Sequence, residues 1–161
     1  TSPADGQLDW FNEQTLSYSG LSIQALVGSG WTTLVHADDL DAASARMRDR
    51  RDALLHALAA GVPGIQLNGH HELRLPNTLN VRFPGASGEA LLAGAPEIAA
   101  STGSACHEGH ESASAVILAM GVAAEDALGS VRLTLGRSTS ESDVALAASA
   151  LIRAWRAGAG R

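Results

Sequence analysis

The chain has 161 residues and a mass of 16.5 kDa, enough for one ordinary domain or one domain with a short attachment. Its net charge of -6 and pI near 5.4 argue against nucleic acid or an anionic membrane as main partners. No apolar run reaches the roughly 18 residues that a membrane span needs. The 45% of hydrophobic residues suffices for a core, and with aromatics at 4% that core falls to Ala, Leu, Val and Ile. All 11 basic residues are arginine, so chemistry that requires a lysine Schiff base cannot be carried by this chain alone.

Residues 1–40 have a texture of their own and hold Trp10, Phe11, Tyr18 and Trp31. Asp5-Gly6 signals a turn before a short strand-like run from Leu8 to Phe11. Asn12–Ser19 reads as a short helix or turn closed by Gly20, and Leu21–Val27 as another short helix ended by Gly28. Trp31–Val35 reads as an apolar turn.

Asp39 to Ala60 carries the clearest helical signal. Leu40, Ala43, Met47, Leu54, Leu55 and Leu58 recur at helical spacing, and Arg46, Arg48, Asp49, Arg50, Arg51 and Asp52 are expected mostly on the outer face. Gly61, Pro63 and Gly64 stop it. Ile65–Asn68 predicts a short strand, followed by an exposed Gly69-His70-His71 loop. Thr78–Phe83 predicts a strand with Leu79, Val81 and Phe83 on one side. Ser87–Ala93 predicts a helix with Glu89 in its first turn, and Glu97–Ala100 a brief strand.

A run of small residues, Ser101 to His110, then surrounds the single cysteine, Cys106. A thiol flanked by Gly103, Ser104, Ala105 and Gly109 reads as displayed rather than packed, so its reactivity is what matters. One cysteine forms no internal disulfide, which suits a reducing compartment and a cytoplasmic location. The chain starts at Thr1 with no charged-then-apolar leader, as expected of a trimmed chain or a piece of a longer protein. Ser112–Met120 and Ala123–Leu128 predict helical turns, and Ser130–Leu135 predicts a strand with Val131, Leu133 and Leu135 alternating. The last helix is expected to start at a capping box, Ser138 with Glu141, and to bury Val144, Ala148, Leu151 and Trp155. This order predicts a two-layer α/β (α+β) fold with helices against a small sheet.

Two resemblances follow from the motifs. D-G-Q-L-D-W-F-N, S-G-L-S-I-Q-A-L-V-G and W-T-T-L-V-H-A-D-D-L resemble the first half of a PAS sensor domain, which gives residues 1–40 as a partial PAS-like segment. L-P-N-T-L-N-V-R-F-P-G, E-A-L-L, S-T-G-S-A-C, V-I-L-A-M-G and L-G-S-V-R-L-T-L-G-R resemble the C-terminal part of pyridoxal-phosphate cysteine desulfurases. These are the NifS/IscS type, within the class V aminotransferase family. This gives residues 41–161 as the small C-terminal domain of a fold-type I pyridoxal-phosphate enzyme.

The second resemblance implies that Cys106 is the nucleophile that takes sulfur from cofactor-bound L-cysteine as a persulfide and releases L-alanine. It implies that Arg132 binds the substrate carboxylate, while Arg137 is structural. Beside Cys106, His107 is a candidate acid/base that would favour the thiolate, with His110 four residues on. A metal site from Cys106, His107, His110 and Glu111 is the weaker alternative, and no metal is assigned. The implied partners are L-cysteine, a sulfur acceptor or iron–sulfur scaffold protein, and a second copy in a homodimer. Pyridoxal phosphate belongs to the parent family; none is expected on this chain, which lacks both the lysine and the large domain, so the isolated chain is expected to be inactive. The alternatives are a cofactor-free persulfide carrier, or a PAS-linked sensory or interaction module with relic catalytic residues.

Overall fold

The computed structural model describes residues 13–27, 37–103 and 113–158, and the chain divides into two compact units, Thr1–Ser44 and Ala45–Arg161. In the first unit, α1 (Glu13–Ser19) and α2 (Ile23–Leu26) match the two short helices expected there. Gly20 closes α1 at a φ of +66°, with its amide donating to the Leu16 carbonyl, a backbone position that a residue without Cβ takes at little cost. The strand expected at Leu8–Phe11 and the turn at Trp31–Val35 lie outside the described residues.

The long helix α3 (Ala37–Gly61) contains no glycine or proline before Gly61. Leu54, Leu58 and Val62 follow one another at four-residue spacing and are all buried. The same geometry corrects one expectation. Arg51, expected on the outer face, stands three residues before Leu54 and is 3% exposed.

Arg51 Nε donates to Asp52 Oδ1 at 2.9 Å and Nη1 donates to the Leu75 carbonyl at 2.9 Å. Arg74 Nη2 reaches the same Asp52 oxygen at 3.0 Å, so two guanidiniums share one carboxylate oxygen. Arg74 Nε and Nη1 are buried without a hydrogen-bond partner among the described residues. Burial and then the neighbouring Arg51 charge push the Arg74 pKa down, against the opposing pull of Asp52.

The strands β1 (Gln66–Leu67), β2 (Thr78–Arg82) and β3 (Ser130–Thr134) form one antiparallel sheet in that order. Leu79 lies opposite Leu133 and Val81 opposite Val131, all buried; Asn80 lies opposite Arg132 and Arg82 opposite Ser130 on the other face. The apolar face packs with α3, α4 (Gly88–Ala93) and α7 (Glu141–Gly158) into one core that includes Phe83, Leu91, Leu135, Val144, Ala148 and Leu151. Trp155, half-buried, anchors α7 by donating from its indole nitrogen to the Pro84 carbonyl at 3.0 Å. Two short helices, α5 (Ala115–Ala119) and α6 (Ala124–Ala127), precede β3. The two-layer arrangement of helices on a small sheet is therefore the fold that the element order predicts.

Two local expectations fail. No strand forms at Glu97–Ala100: Pro96 begins a turn in which the Ile98 amide donates to the Ala95 carbonyl, and pairing is delayed to a single bridge at Ser101. The capping box sits two residues later than Ser138 and Glu141, because Gly136 and Thr139 are committed to a turn of their own. Ser140 and Asp143 exchange the reciprocal bonds instead: Asp143 Oδ2 accepts from the Ser140 amide at 2.8 Å, and Ser140 Oγ accepts from the Asp143 amide at 3.1 Å.

Two outcomes are expected. Replacing Asp52 by Ala leaves the Arg51 charge with one carbonyl and is expected to cost about 2 kcal/mol, a reduced value because Asp52 is half-exposed, read from urea unfolding. The Asp143 carboxyl is held below its usual 3.8 by the Ser140 amide and then the Ser140 hydroxyl, and Arg50 adds to this. A depressed folded-state pKa contributes stability above the unfolded value and loses it as pH falls through the folded one. Thermal melts of Asp143→Asn should thus show a weaker dependence on pH below about 4 than the unsubstituted chain.

Candidate functional site

The polar face of the sheet is what β2 and β3 leave open. Alternation that sends Leu79, Val81, Val131 and Leu133 inward sends Asn80, Arg82, Arg132 and Thr134 outward. Arg132 is exposed, and among the described residues no carboxylate pairs with its guanidinium. A free guanidinium on a polar sheet face suits a planar, two-oxygen anion such as a carboxylate.

The second feature is where the cysteine loop is rooted. Ser101 is bonded to β3 at Arg132 itself: the Arg132 amide donates to the Ser101 carbonyl at 2.7 Å, and the Ser101 amide returns a bond to the Arg132 carbonyl at 3.3 Å. Gly103 follows at a φ of +92°, its amide donating to Ser101 Oγ at 3.0 Å. Cys106, His107 and His110 lie outside the described residues. Covalent geometry alone keeps Cys106 within about 17 Å of Ser101, five residues back.

The start of α4 closes on this root. A Cβ on Gly88 would stand 2.7 Å from the Ser130 carbonyl oxygen and 3.0 Å from Thr102 Cγ2, so only glycine lets the helix approach so closely. The Ser87 side chain caps α4, accepting from the Ala90 amide at 3.2 Å.

Sequence patterning missed the polar network beside Arg132. Asn68, 8% exposed, donates from Nδ2 to Asn80 Oδ1 at 2.9 Å and to Ser130 Oγ at 3.0 Å, and its Oδ1 accepts from Arg82 Nη1 at 2.6 Å. Arg82 Nη2 also reaches Gln66 Oε1. The signal was present in the strand that places Leu79 and Val81 inward, since Thr78, Asn80 and Arg82 occupy the alternate positions. An open cleft next to this network is lined by Asn68, His70 and Arg82 from one side and Met120, Val122 and Asp126 from the other. Both His70 contacts are local: its Nδ1 accepts from the Glu72 and Leu73 amides, both at 3.0 Å. Among the described residues no group of histidine, cysteine or carboxylate side chains is arranged to hold a metal ion, and no helix is long and apolar enough to cross a membrane.

No family model matches the chain. It is 35% identical over 144 residues to a cysteine desulfurase of Frankia sp. (strain EuIK1), covering 88% of this chain and 34% of that protein. It is 39% identical over 125 residues to an IscS-like cysteine desulfurase of Mycobacterium tuberculosis (strain ATCC 25618 / H37Rv), covering 76% of this chain and 32% of that protein. Among solved structures, a NifS-like protein from Rickettsia africae ESF-5 shares the fold with a TM-score of 0.65 and 23% identity, over 84% of this chain and 35% of that one. The chain thus spans about a third of the length of the curated relatives it matches.

Substituting Gly88 by Ala tests the packing at the loop root. Helix propensity favours Ala by up to about 1 kcal/mol, but displacing the Ser130 backbone is expected to outweigh this and destabilise by about 1–3 kcal/mol net. Faster hydrogen exchange at the Arg132 amide should accompany the loss; unchanged stability and exchange would show that the approach is not close.

Proposed function

We propose that this chain, which corresponds to the C-terminal portion of a cysteine desulfurase of the IscS and NifS type, is the sulfur-accepting part of such an enzyme. The observation that carries the reading is the ladder between Ser101 and Arg132, which roots the segment bearing the only cysteine on the residue expected to hold the substrate carboxylate.

In this reading Arg132 orients L-cysteine by its carboxylate, through paired N–H donors that a lysine ammonium could not match. The Cys106 thiolate attacks the substrate sulfur. The new S–S bond forms as the carbon–sulfur bond breaks, its electron pair stays with carbon, and a proton there completes L-alanine. Cys106 is left as a persulfide for transfer to an acceptor thiol or an iron–sulfur scaffold protein. His107, next in sequence, is the base that favours the thiolate. The glycine- and serine-rich segment serves as the tether for that transfer.

Pyridoxal phosphate supplies the electron sink in the parent family. This chain does not fit it as a carrier, because no lysine is present to link it. The isolated chain is accordingly read as inactive alone and as acting with a lysine-bearing large domain in a homodimer, in a reducing cytoplasmic setting.

The extent of the match also bears on residues 1–40. Residues 41–161 make up about three quarters of the chain, whereas the Frankia match covers 88% of it. That extent gives the sulfur-transfer role more support than a sensory role for residues 1–40.

The test combines the chain with a lysine-bearing desulfurase large domain, pyridoxal phosphate and sulfur-labelled L-cysteine. Label is expected on the chain and absent from Cys106→Ala. Equal labelling of both forms would remove Cys106 from the mechanism.

A further inference from the structure

The polar face of the sheet holds a chain of amides whose direction is set by one residue. Arg82 has donors only, so the Asn68 atom that receives Arg82 Nη1 at 2.6 Å must be its carbonyl oxygen. The other end of that amide is then NH2, which donates to Ser130 Oγ and to Asn80. Asn80 must in turn present its oxygen to Asn68, which leaves the Asn80 NH2 as the group not engaged by Asn68. Asn80 is the direct register partner of Arg132, on the same face, where facing Cβ atoms stand about 4.5–5.5 Å apart. Neither the Asn80 Nδ2 group nor the Arg132 guanidinium has a hydrogen-bond partner among the described residues.

We infer that Asn80 Nδ2 is a second donor in the Arg132 site, so that an amino-acid carboxylate is held between a guanidinium and an amide NH2. The inference rests on the proposed carboxylate role of Arg132 and adds to it a binding residue and a positioning relay. A carboxylate offers acceptors only, and this corner offers donors only. Arg82 acts through Asn68: with a donor-only group at its end, the relay cannot turn the Asn80 oxygen outward. Each bond in such a chain polarises the next, which strengthens the terminal N–H as a donor.

Asn80→Asp separates binding from folding. An aspartate oxygen still accepts from Asn68, but its second oxygen replaces the outward NH2 and meets both Arg132 and the incoming carboxylate. The experiment titrates the 161-residue chain, labelled for side-chain amide and arginine Nε detection by NMR, with L-alanine, using ethylamine as the control without a carboxylate. The Asn80 NH2 and Arg132 Nε–H signals are expected to follow one saturation curve with L-alanine and not to move with ethylamine. In Asn80→Asp the affinity should fall about tenfold or more, the loss of one hydrogen bond to a charged group.

If Arg132 responds while the Asn80 amide stays still and Asn80→Asp binds normally, the inference is overturned and the Arg132 role stands. If neither signal responds, both fall together. Where Asn80→Asp does not fold, the titration of the unsubstituted chain decides.

Discussion

The pairing of β2 with β3 is the constraint on which the rest depends. Five residues of each strand face one another in antiparallel register, and the strand period of two divides them between a dry face and a polar one. Leu79, Val81, Val131 and Leu133 join the core from one side, while Asn80, Arg82, Arg132 and Ser130 meet on the other. A one-residue slip of β3 against β2 would turn Arg132 inward and Val131 and Leu133 outward, so the hydrophobic face that stabilises the fold also aims the guanidinium of Arg132.

Around that sheet the helices do different work. α3 and α7 supply most of the helical share of the core and meet closely: a Cβ on Gly61 would stand less than 3.0 Å from the Ile152 side chain. α4 instead controls distance to the loop root, through the bare Cα of Gly88 against Ser130 and Thr102. A costly feature at the helical layer is the Arg51–Asp52–Arg74 group, in which one carboxylate oxygen serves two guanidiniums and two Arg74 nitrogens lack partners among the described residues. Burial of such groups without full pairing opposes stability, and the apolar core offsets it.

The functional reading joins two kinds of support. The relationship to cysteine desulfurases covers most of the chain, but only about a third of those proteins. The geometry adds that Ser101 and Arg132 are bonded neighbours. The proposed sulfur transfer needs a thiol that can approach a fixed substrate, and a segment rooted on the strand that carries Arg132 suits that proposal. The absence of lysine sets the complementary limit: these residues offer no lysine amine to link a cofactor aldehyde.

Periodicity in the sequence determined the three sheet strands, the helices that pack on them and the inward sets Leu79/Val81/Phe83 and Val131/Leu133/Leu135, because burial repeats at every second residue of a strand. The resemblance to cysteine desulfurases singled out Cys106 and Arg132, and the count of basic residues excluded a lysine-borne cofactor link. Only the tertiary structure decided the rest. Arg51 turned inward because its place on the α3 stripe and the Asp52 and Leu75 oxygens around it outweigh its charge. The polarity of the Arg82–Asn68–Asn80 relay depends on atoms from β2 and the residue after β1, which become neighbours only when the sheet forms. The contact between Ser101 and Arg132 is of the same kind: 31 residues apart along the chain, they are joined by backbone bonds that carry no side-chain signature.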